Sequence, residues 1–230
     1  MSAMSAVSVR AGLLSGLLLV CAATFAAEEP LAPPPPAAGT EQLGPNELVT
    51  KVAQETLRDL DAHRAEYQKD RQKIRALVDH NMLPYFDTAY AAQLVLGKSW
   101  RAATPDQRKR FVDAFYQSML QNYGEALVDF TPDRLKILPF QGNAQDTTAT
   151  VRSEIRRDNG TPVKVNYALR KTPQGWKAYD VQIEGVSYIV TYKRDFGSEI
   201  DQKGIDAVIQ RLESQVASGT APKAPVPGKP

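Results

Sequence analysis

Cysteine and histidine are nearly missing from the chain, with one Cys and two His among 230 residues. That excludes a disulfide framework and leaves too few ligands for a Cys/His metal site. An excess of one charge is missing too. Lys and Arg number 28 against 26 Asp and Glu, a formal net charge of +2, so the basic footprint that nucleic-acid binding requires is absent. No G-x-S-x-G, P-loop or G-x-G-x-x-G motif occurs, which removes the common signatures of hydrolase nucleophiles and of phosphate or dinucleotide sites. No apolar run reaches the roughly 20 residues of a membrane-spanning helix. What is present is an ordinary globular composition, 43% hydrophobic and 23% charged, enough to build a packed core.

The prolines mark the boundaries. Of 16, six lie at positions 30 to 45 and four at 222 to 230. Ahead of them, Arg10 is the only charge before Glu28, and a short apolar segment runs from Ala11 to Ala23. This pattern predicts a signal peptide over residues 1–26, cleaved after Ala26 with Thr24 at the minus-three position. The alternatives are an uncleaved anchor and lipid attachment at Cys21, which would need a small residue where Val20 stands. Cleavage would remove Cys21 and Arg10, leaving 27 basic against 26 acidic residues and no cysteine. A protein exported without a disulfide relies on its core alone. Residues 27–45, with Pro33-Pro34-Pro35-Pro36, read as an extended linker, and 218–230 as a disordered proline-rich tail. One domain is expected over 46–217.

Within that domain helices come first. Leu48, Val49, Val52, Leu57 and Leu60 recur at helical spacing after Pro45-Asn46, and Ile74, Leu77 and Val78 do so after a charged stretch from Asp61 to Lys73. Beyond Pro84, a helix carrying Phe86, Tyr90, Leu94 and Val95 should stop at Gly97. Thr104-Pro105-Asp106-Gln107 is a capping box with proline at the first helical position. It opens an apolar stripe from Phe111 to Phe130, a helix of about 26 residues and close to 40 Å. The period then becomes two. Leu135 and Ile137 mark one strand, Val151 and Ile155 a second, and Val163, Val165, Tyr167 and Leu169 a third. Trp176 to Glu184 make a fourth, with Tyr179, Val181 and Ile183 on one side. Asp158-Asn159-Gly160 and Thr172-Pro173-Gln174-Gly175 are the turns, and Gly185 ends the last strand. Two helices close the domain, one after Ser187 with Ile189, Tyr192, Phe196 and Ile200, and one after Gly204 with Ile205, Val208, Ile209 and Leu212. Helices followed by an antiparallel meander give an α+β domain.

Few residues invite chemistry. His63 and His80 sit in polar surroundings and read as surface histidines. Asp87 and Asp180 adjoin aromatic residues, where a carboxylic acid could have a raised pKa. The plainer reading is that Asp87 caps a helix and Asp180 faces solvent or a strand partner. Lys69, Arg71, Lys73 and Arg75, interrupted by Asp70 and Asp79, and Arg108-Lys109-Arg110 read as solvated helix faces. The aromatic residues Phe111, Phe115, Tyr123, Tyr167 and Tyr179, with Met119, fit a filled core or the lining of a cavity, and periodicity does not distinguish the two.

Several strings, in order, resemble the periplasmic phospholipid carriers of the Mla system, also called the toluene-tolerance auxiliary family. They are Leu83-Pro84-Tyr85-Phe86-Asp87, Leu94-Val95-Leu96-Gly97-Lys98-Ser99-Trp100, and Ala103-Thr104-Pro105-Asp106-Gln107-Arg108 with Phe111 and Phe115. The most specific is Trp176-Lys177-Ala178-Tyr179-Asp180-Val181-Gln182-Ile183-Glu184-Gly185-Val186-Ser187, followed by Tyr192, Lys193, Phe196 and Ile200. The resemblance spans residues 47 to 214. It departs from the family at Lys193, where arginine is usual, and at Gly197, unusual inside a helix. It implies an NTF2-like fold, with N-terminal helices packed on a curved antiparallel four-stranded sheet, C-terminal helices, and an acyl-chain pocket between helices and sheet.

The resemblance also implies carriage of phospholipid across the periplasm, in support of outer-membrane lipid asymmetry. The partners it implies are an outer-membrane lipoprotein–porin complex and an inner-membrane ABC transporter with its substrate-binding-domain protein. It carries over no catalytic residue and no cofactor, only phospholipid as cargo. Candidate lining residues therefore come from face assignment: Phe86 and Leu94; Phe111, Phe115, Met119 and Tyr123; Val151 and Ile155; Val165, Tyr167 and Leu169; Val181 and Ile183. The rival readings are a carrier of another lipid such as a hopanoid, an NTF2-like enzyme with Asp87 or Asp180 in the pocket, and a ligand-free adaptor with a filled core.

Overall fold

Helix α1 (Pro45–Lys69) begins where Pro45 can occupy the first turn without losing a hydrogen bond, and Glu47 reaches back to accept from the Gly44 amide at 3.0 Å. In this computed structural model residues 43–127, 131–143, 145–157 and 159–219 are described. The expected signal peptide, nearly all of the linker and the tail beyond Gly219 lie outside the described residues. The charged stretch after Leu60 continues α1, kinked at His63 (φ −123°, ψ 19°). Ion pairs such as Lys73–Glu66 at 2.6 Å line its exposed side, while Tyr67 turns inward with Leu60, Ile74 and Leu77. Asp70 then caps α2 (Arg71–Asn81) by accepting from the Gln72 amide at 2.9 Å.

Pro84 lies in a single 3₁₀ turn, Leu83–Tyr85. Helix α3 (Thr88–Leu96) starts two residues later than its apolar pattern suggests, because Asp87 takes the cap position and accepts from the Tyr90 amide at 3.0 Å. Phe86 is thereby left extended and makes a parallel bridge to Ala178. A short α4 (Lys98–Ala102) precedes α5 (Pro105–Leu127). The capping box forms as expected, with Thr104 and Gln107 bonding each other's backbone amide at 2.9 and 3.2 Å. Phe130, assigned to this helix from the sequence, lies outside the described residues.

The sheet is an antiparallel meander, β1 (Leu135–Ile137), β2 (Thr148–Arg156), β3 (Pro162–Thr172), β4 (Gly175–Ile183) and β5 (Val186–Ser187), in sequential order. It therefore has five strands where the sequence suggested four. Glu184 and Gly185 both take positive φ, 51° and 80°, the combination that closes a two-residue hairpin. The chain folds back there, and Val186 and Ser187 pair with Ile183 and Gln182. Ser187 next caps α6 (Tyr188–Lys203), which passes through Gly197 without a break and is followed by α7 (Ile205–Ser218).

A second departure lies inside β4. Val181 pairs with Tyr167 and Asp180 with Ala168, but Leu169 pairs with Ala178, so Tyr179 is an extra residue at a bulge. Strict alternation predicts Tyr179 on the same side as Val181 and Ile183. The bulge instead sends its ring to the helices, edge-on to Tyr90 at 5.2 Å.

Two cores result. One joins α3, α5, α6 and α7 through Phe111, Phe115, Tyr192, Phe196, Val208, Ile209 and Leu212. The other joins α1 to the sheet through Leu48, Val151, Leu169 and Trp176. Arg110 to Glu213 and Arg211 to Glu199, both at 2.7 Å, tie α7 to α5 and α6.

Candidate functional site

An apolar cavity of about 220 Å³ lies between α1 and the sheet. The inward stripe of α1 forms one wall with Leu48, Val49, Val52, Ala53, Thr56, Leu57 and Leu60. Leu135, Ile155, Tyr167, Leu169, Ala178 and Val181 form the sheet wall, and Met82, Tyr85, Phe86, Leu127 and Thr131 close the ends. Ala178 and Val181 both face inward although two residues lie between them, which the bulge at Tyr179 permits. A wider, open groove of about 630 Å³ runs outside the same wall. It shares Ala53, Leu57 and Leu135 with the cavity and adds Asn46, Thr50, Gln54, Arg58 and Asp61 with the apolar Ile137.

Of the candidate residues from the sequence, Phe86, Ile155, Tyr167, Leu169 and Val181 meet at this cavity. Val151 and Val165 share the inward face but are packed, 0% and 4% exposed, and Ile183 pairs with Val165. Phe111 and Phe115 do not line it. Their rings stack on each other at 5.6 Å and meet Phe196 edge-on at 5.7 and 5.8 Å. Met119 packs against that same helical core, and Leu94 is half-buried on α3. Tyr123 contacts the Tyr188 ring edge-on at 5.0 Å and its hydroxyl lies 3.4 Å from that of Tyr192. Burial pushes the phenols of Tyr123 and Tyr192 up, that of Tyr192 to about 12. The α5 stripe is apolar because it faces other helices, a distinction that periodicity does not carry.

The whole α1 wall was missed by the face assignment. Its signal was nonetheless in the sequence: Leu48, Val52, Thr56 and Leu60 fall on one i, i+4 row, facing the only face of the sheet that is apolar.

Neither candidate carboxylate reaches the cavity. Asp87 caps α3 and pairs with Arg170 at 3.2 Å, and the Arg170 guanidinium lies 4.2 Å over the Tyr90 ring. Asp180 meets the expected strand partner in Ser187 of β5 and reaches beyond it to the following helix. It is 6% exposed, accepts from the Ser187 hydroxyl at 2.6 Å and the Ile189 amide at 3.1 Å, and so anchors the start of α6. His63 lies on the outer side of α1, 2.8 Å from the Asp59 carboxylate, whose hydrogen bond pushes the imidazole pKa up. His80 is exposed, and the two histidines border a separate surface groove with Glu66 and Lys73. Arg108 and Arg110 do more than face solvent. Arg108 donates to the Trp100 carbonyl at 2.9 Å, and Arg110 holds Glu213. Among the described residues no group of three or more His, Cys, Asp or Glu could hold a metal ion.

Helices laid over one face of an antiparallel sheet, with an apolar cavity between them, make an α+β domain shaped to bind an apolar ligand. A family model described as MlaC protein matches residues 50–214, and the chain belongs to that family. It is 24% identical over 179 residues to the intermembrane phospholipid transport system binding protein MlaC of Haemophilus influenzae, covering 76% of this chain and 84% of that protein. It is 24% identical over 176 residues to the toluene tolerance protein ttg2D of Pseudomonas putida, covering 75% and 81%. Among solved structures, a phospholipid-binding protein from Ralstonia solanacearum in complex with a phospholipid superposes with a TM-score of 0.70 at 30% identity, covering 75% of this chain and 96% of that one.

Proposed function

We propose that this protein is a periplasmic phospholipid carrier that holds acyl chain between α1 and the sheet and leaves the headgroup in the open groove beside them. The observation that carries the reading is the cavity itself, apolar on both walls in a chain whose structural relative is a phospholipid-binding protein solved with its lipid. The energetics suit carriage. Two acyl chains hold on the order of 30 methylenes, disfavoured in water by roughly 20 kcal/mol. An apolar cavity and a bilayer each relieve most of that, so exchange between them is near neutral and the protein supplies a path that avoids water. A phosphate has to stay wet, because burying it unpaired is costly, and the groove with Gln54 and Arg58 offers it a polar margin.

The cavity volume of about 220 Å³ falls below the roughly 300–1,000 Å³ of ordinary small-molecule sites. Loading a two-chain lipid therefore requires the α1 wall to part from the sheet. The two ends of the path in this reading are an outer-membrane lipoprotein–porin complex and an inner-membrane ABC transporter with its substrate-binding-domain protein, and the service is outer-membrane lipid asymmetry. No covalent chemistry is needed, and Asp87 is occupied as the cap of α3 and Asp180 in anchoring the start of α6.

The test is organic extraction and mass spectrometry of protein purified from the periplasm. Phospholipid with both esters intact is expected. A hopanoid in its place would change the cargo, lysophospholipid with free fatty acid would indicate an enzyme, and absence of lipid would sink the carrier reading.

A further inference from the structure

One wall position breaks the apolar pattern. Thr56 is 5% exposed, lines the cavity, and its Oγ1 is buried with no hydrogen-bond partner. A threonine inside a helix ordinarily returns its hydroxyl to the carbonyl four residues back, as Thr50 does to the Asn46 carbonyl at 2.7 Å. Thr56 does not. The other hydroxyls of the described lining are accounted for. Thr131 donates to Asp133 at 2.5 Å, and the Tyr167 and Tyr85 hydroxyls are not among the described buried atoms left without a partner. Leaving a buried hydroxyl unmade costs a factor of roughly ten to a hundred in the folding equilibrium, so this position carries a cost that a bound ligand could relieve.

Position narrows the chemistry. Val52 and Leu60, one turn to either side on the same row, are apolar lining, so the ligand is a long apolar chain on both flanks. Ala53 and Leu57, which border the open polar groove, lie within one turn of Thr56. A chain with its polar end in that groove brings to Thr56 the first atoms of its apolar part. In an ester-linked glycerolipid those atoms are the acyl-ester carbonyls, acceptors that cannot hydrogen-bond to an apolar wall. We propose that Thr56 Oγ1 donates a hydrogen bond to an acyl-ester carbonyl of the bound lipid and thereby favours ester-linked over ether-linked glycerolipids. The proposal rests on the carrier reading and deepens it.

The experiment uses delipidated mature protein as wild type, Thr56→Val and Thr56→Ser. Each is titrated with a diacyl phosphatidylglycerol and with its dialkyl ether analogue of equal chain length. Wild type is expected to bind the diester about three- to ten-fold more tightly than the diether, the worth of one net hydrogen bond. Thr56→Val should lose that preference by weakening for the diester alone, and Thr56→Ser should keep it. Lipid-free Thr56→Val should melt above lipid-free wild type, since it removes the unmade hydroxyl. Equal affinities of wild type for the two lipids, a preference that survives in Thr56→Val, or a lower melting temperature for that variant would each overturn the proposal while leaving the carrier reading intact. A wild type that binds neither lipid would overturn both.

Discussion

The helical half and the sheet half are built from similar residues and end differently. In the helical half the side chains of α3, α5, α6 and α7 interlock, and Phe111, Val208, Ile209 and Leu212 are each 0% exposed. In the sheet half α1 stands off from β3 and β4, and Leu57, Tyr167 and Val181 face space. What separates them is the partner surface. Helix packs into helix ridge by groove, whereas a single helix across a sheet touches along one line, and small residues such as Ala53 and Ala178 leave the rest open. Filling is therefore a property of neighbours, and apolar content alone does not reveal it.

The largest contrast is expected from truncation and charge. Phe111→Ala removes a fully buried ring from the filled half and should cost about 3–5 kcal/mol, read as a lowered denaturant midpoint, while the ratio of lipids recovered by extraction stays the same. Val181→Asp should do the reverse. A carboxylate facing acyl chains is disfavoured by several kcal/mol unless it takes a proton, so bound lipid should be lost from a variant whose circular dichroism is still native. Lipid retained on a folded Val181→Asp would remove this cavity as the binding site.

A finer comparison uses one substitution twice. Ala92 is 0% exposed in the helical core, and Ala92→Leu should destabilise by about 1–3 kcal/mol through overpacking. Ala53 faces the cavity. Ala53→Leu should stabilise the lipid-free protein by about 1 kcal/mol through newly buried methylenes and reduce lipid loading. Thermal melts of the lipid-free variants give both signs, and destabilisation at Ala53 as large as at Ala92 would erase the distinction between the halves.

The smallest effect is electrostatic, at the ion pairs that hold α7 in the helical half. The Arg211 guanidinium holds the Glu199 carboxyl below its ordinary range, and Arg110 does the same for Glu213. A lowered folded pKa contributes stability that is fully present above the unfolded value, about 4.3 for glutamate, and is lost as pH falls through the folded value. Melting temperature should therefore drop as pH is lowered below about 4.3, and the drop should shrink in Glu199→Gln. Identical acid profiles for the two proteins would show the pair to be without consequence, as many exposed pairs are.

Much of this was legible beforehand, for local reasons. The capping box at Thr104 and Gln107 and the cap at Asp87 are short-range chemistry, so they read directly. The Asn159-Gly160 turn reads for the same reason, with Gly160 at φ 82°. The assignment of aromatic residues between the two halves was not legible. Phe115 and Tyr167 present the same apolar face to their neighbours, and only the tertiary arrangement sends one to a packed core and the other to a cavity. For Asp180 a strand partner was one of two readings and Ser187 of β5 is that partner, but its bond to the Ile189 amide was not legible, because only the return of the chain through β5 places the start of α6 over it. Thr56 could be seen in the α1 stripe but not weighed, because an unmade hydrogen bond exists only in three dimensions.

The bulge at Tyr179 also makes β4 a strand of two parities. Before it the even positions Trp176 and Ala178 face α1, and after it the odd positions Val181 and Ile183 share the face of Val165 and Tyr167. A saturation mutagenesis profile along β4 should therefore alternate, slip by one step at Tyr179 and resume in the opposite phase. Deleting Tyr179 alone would set Ala178, Asp180 and Val181 opposite Leu169, Ala168 and Tyr167 in an unbroken ladder, giving one phase along the whole strand with the lining on its present side, so this one residue costs the strand its parity while the sheet wall keeps its face.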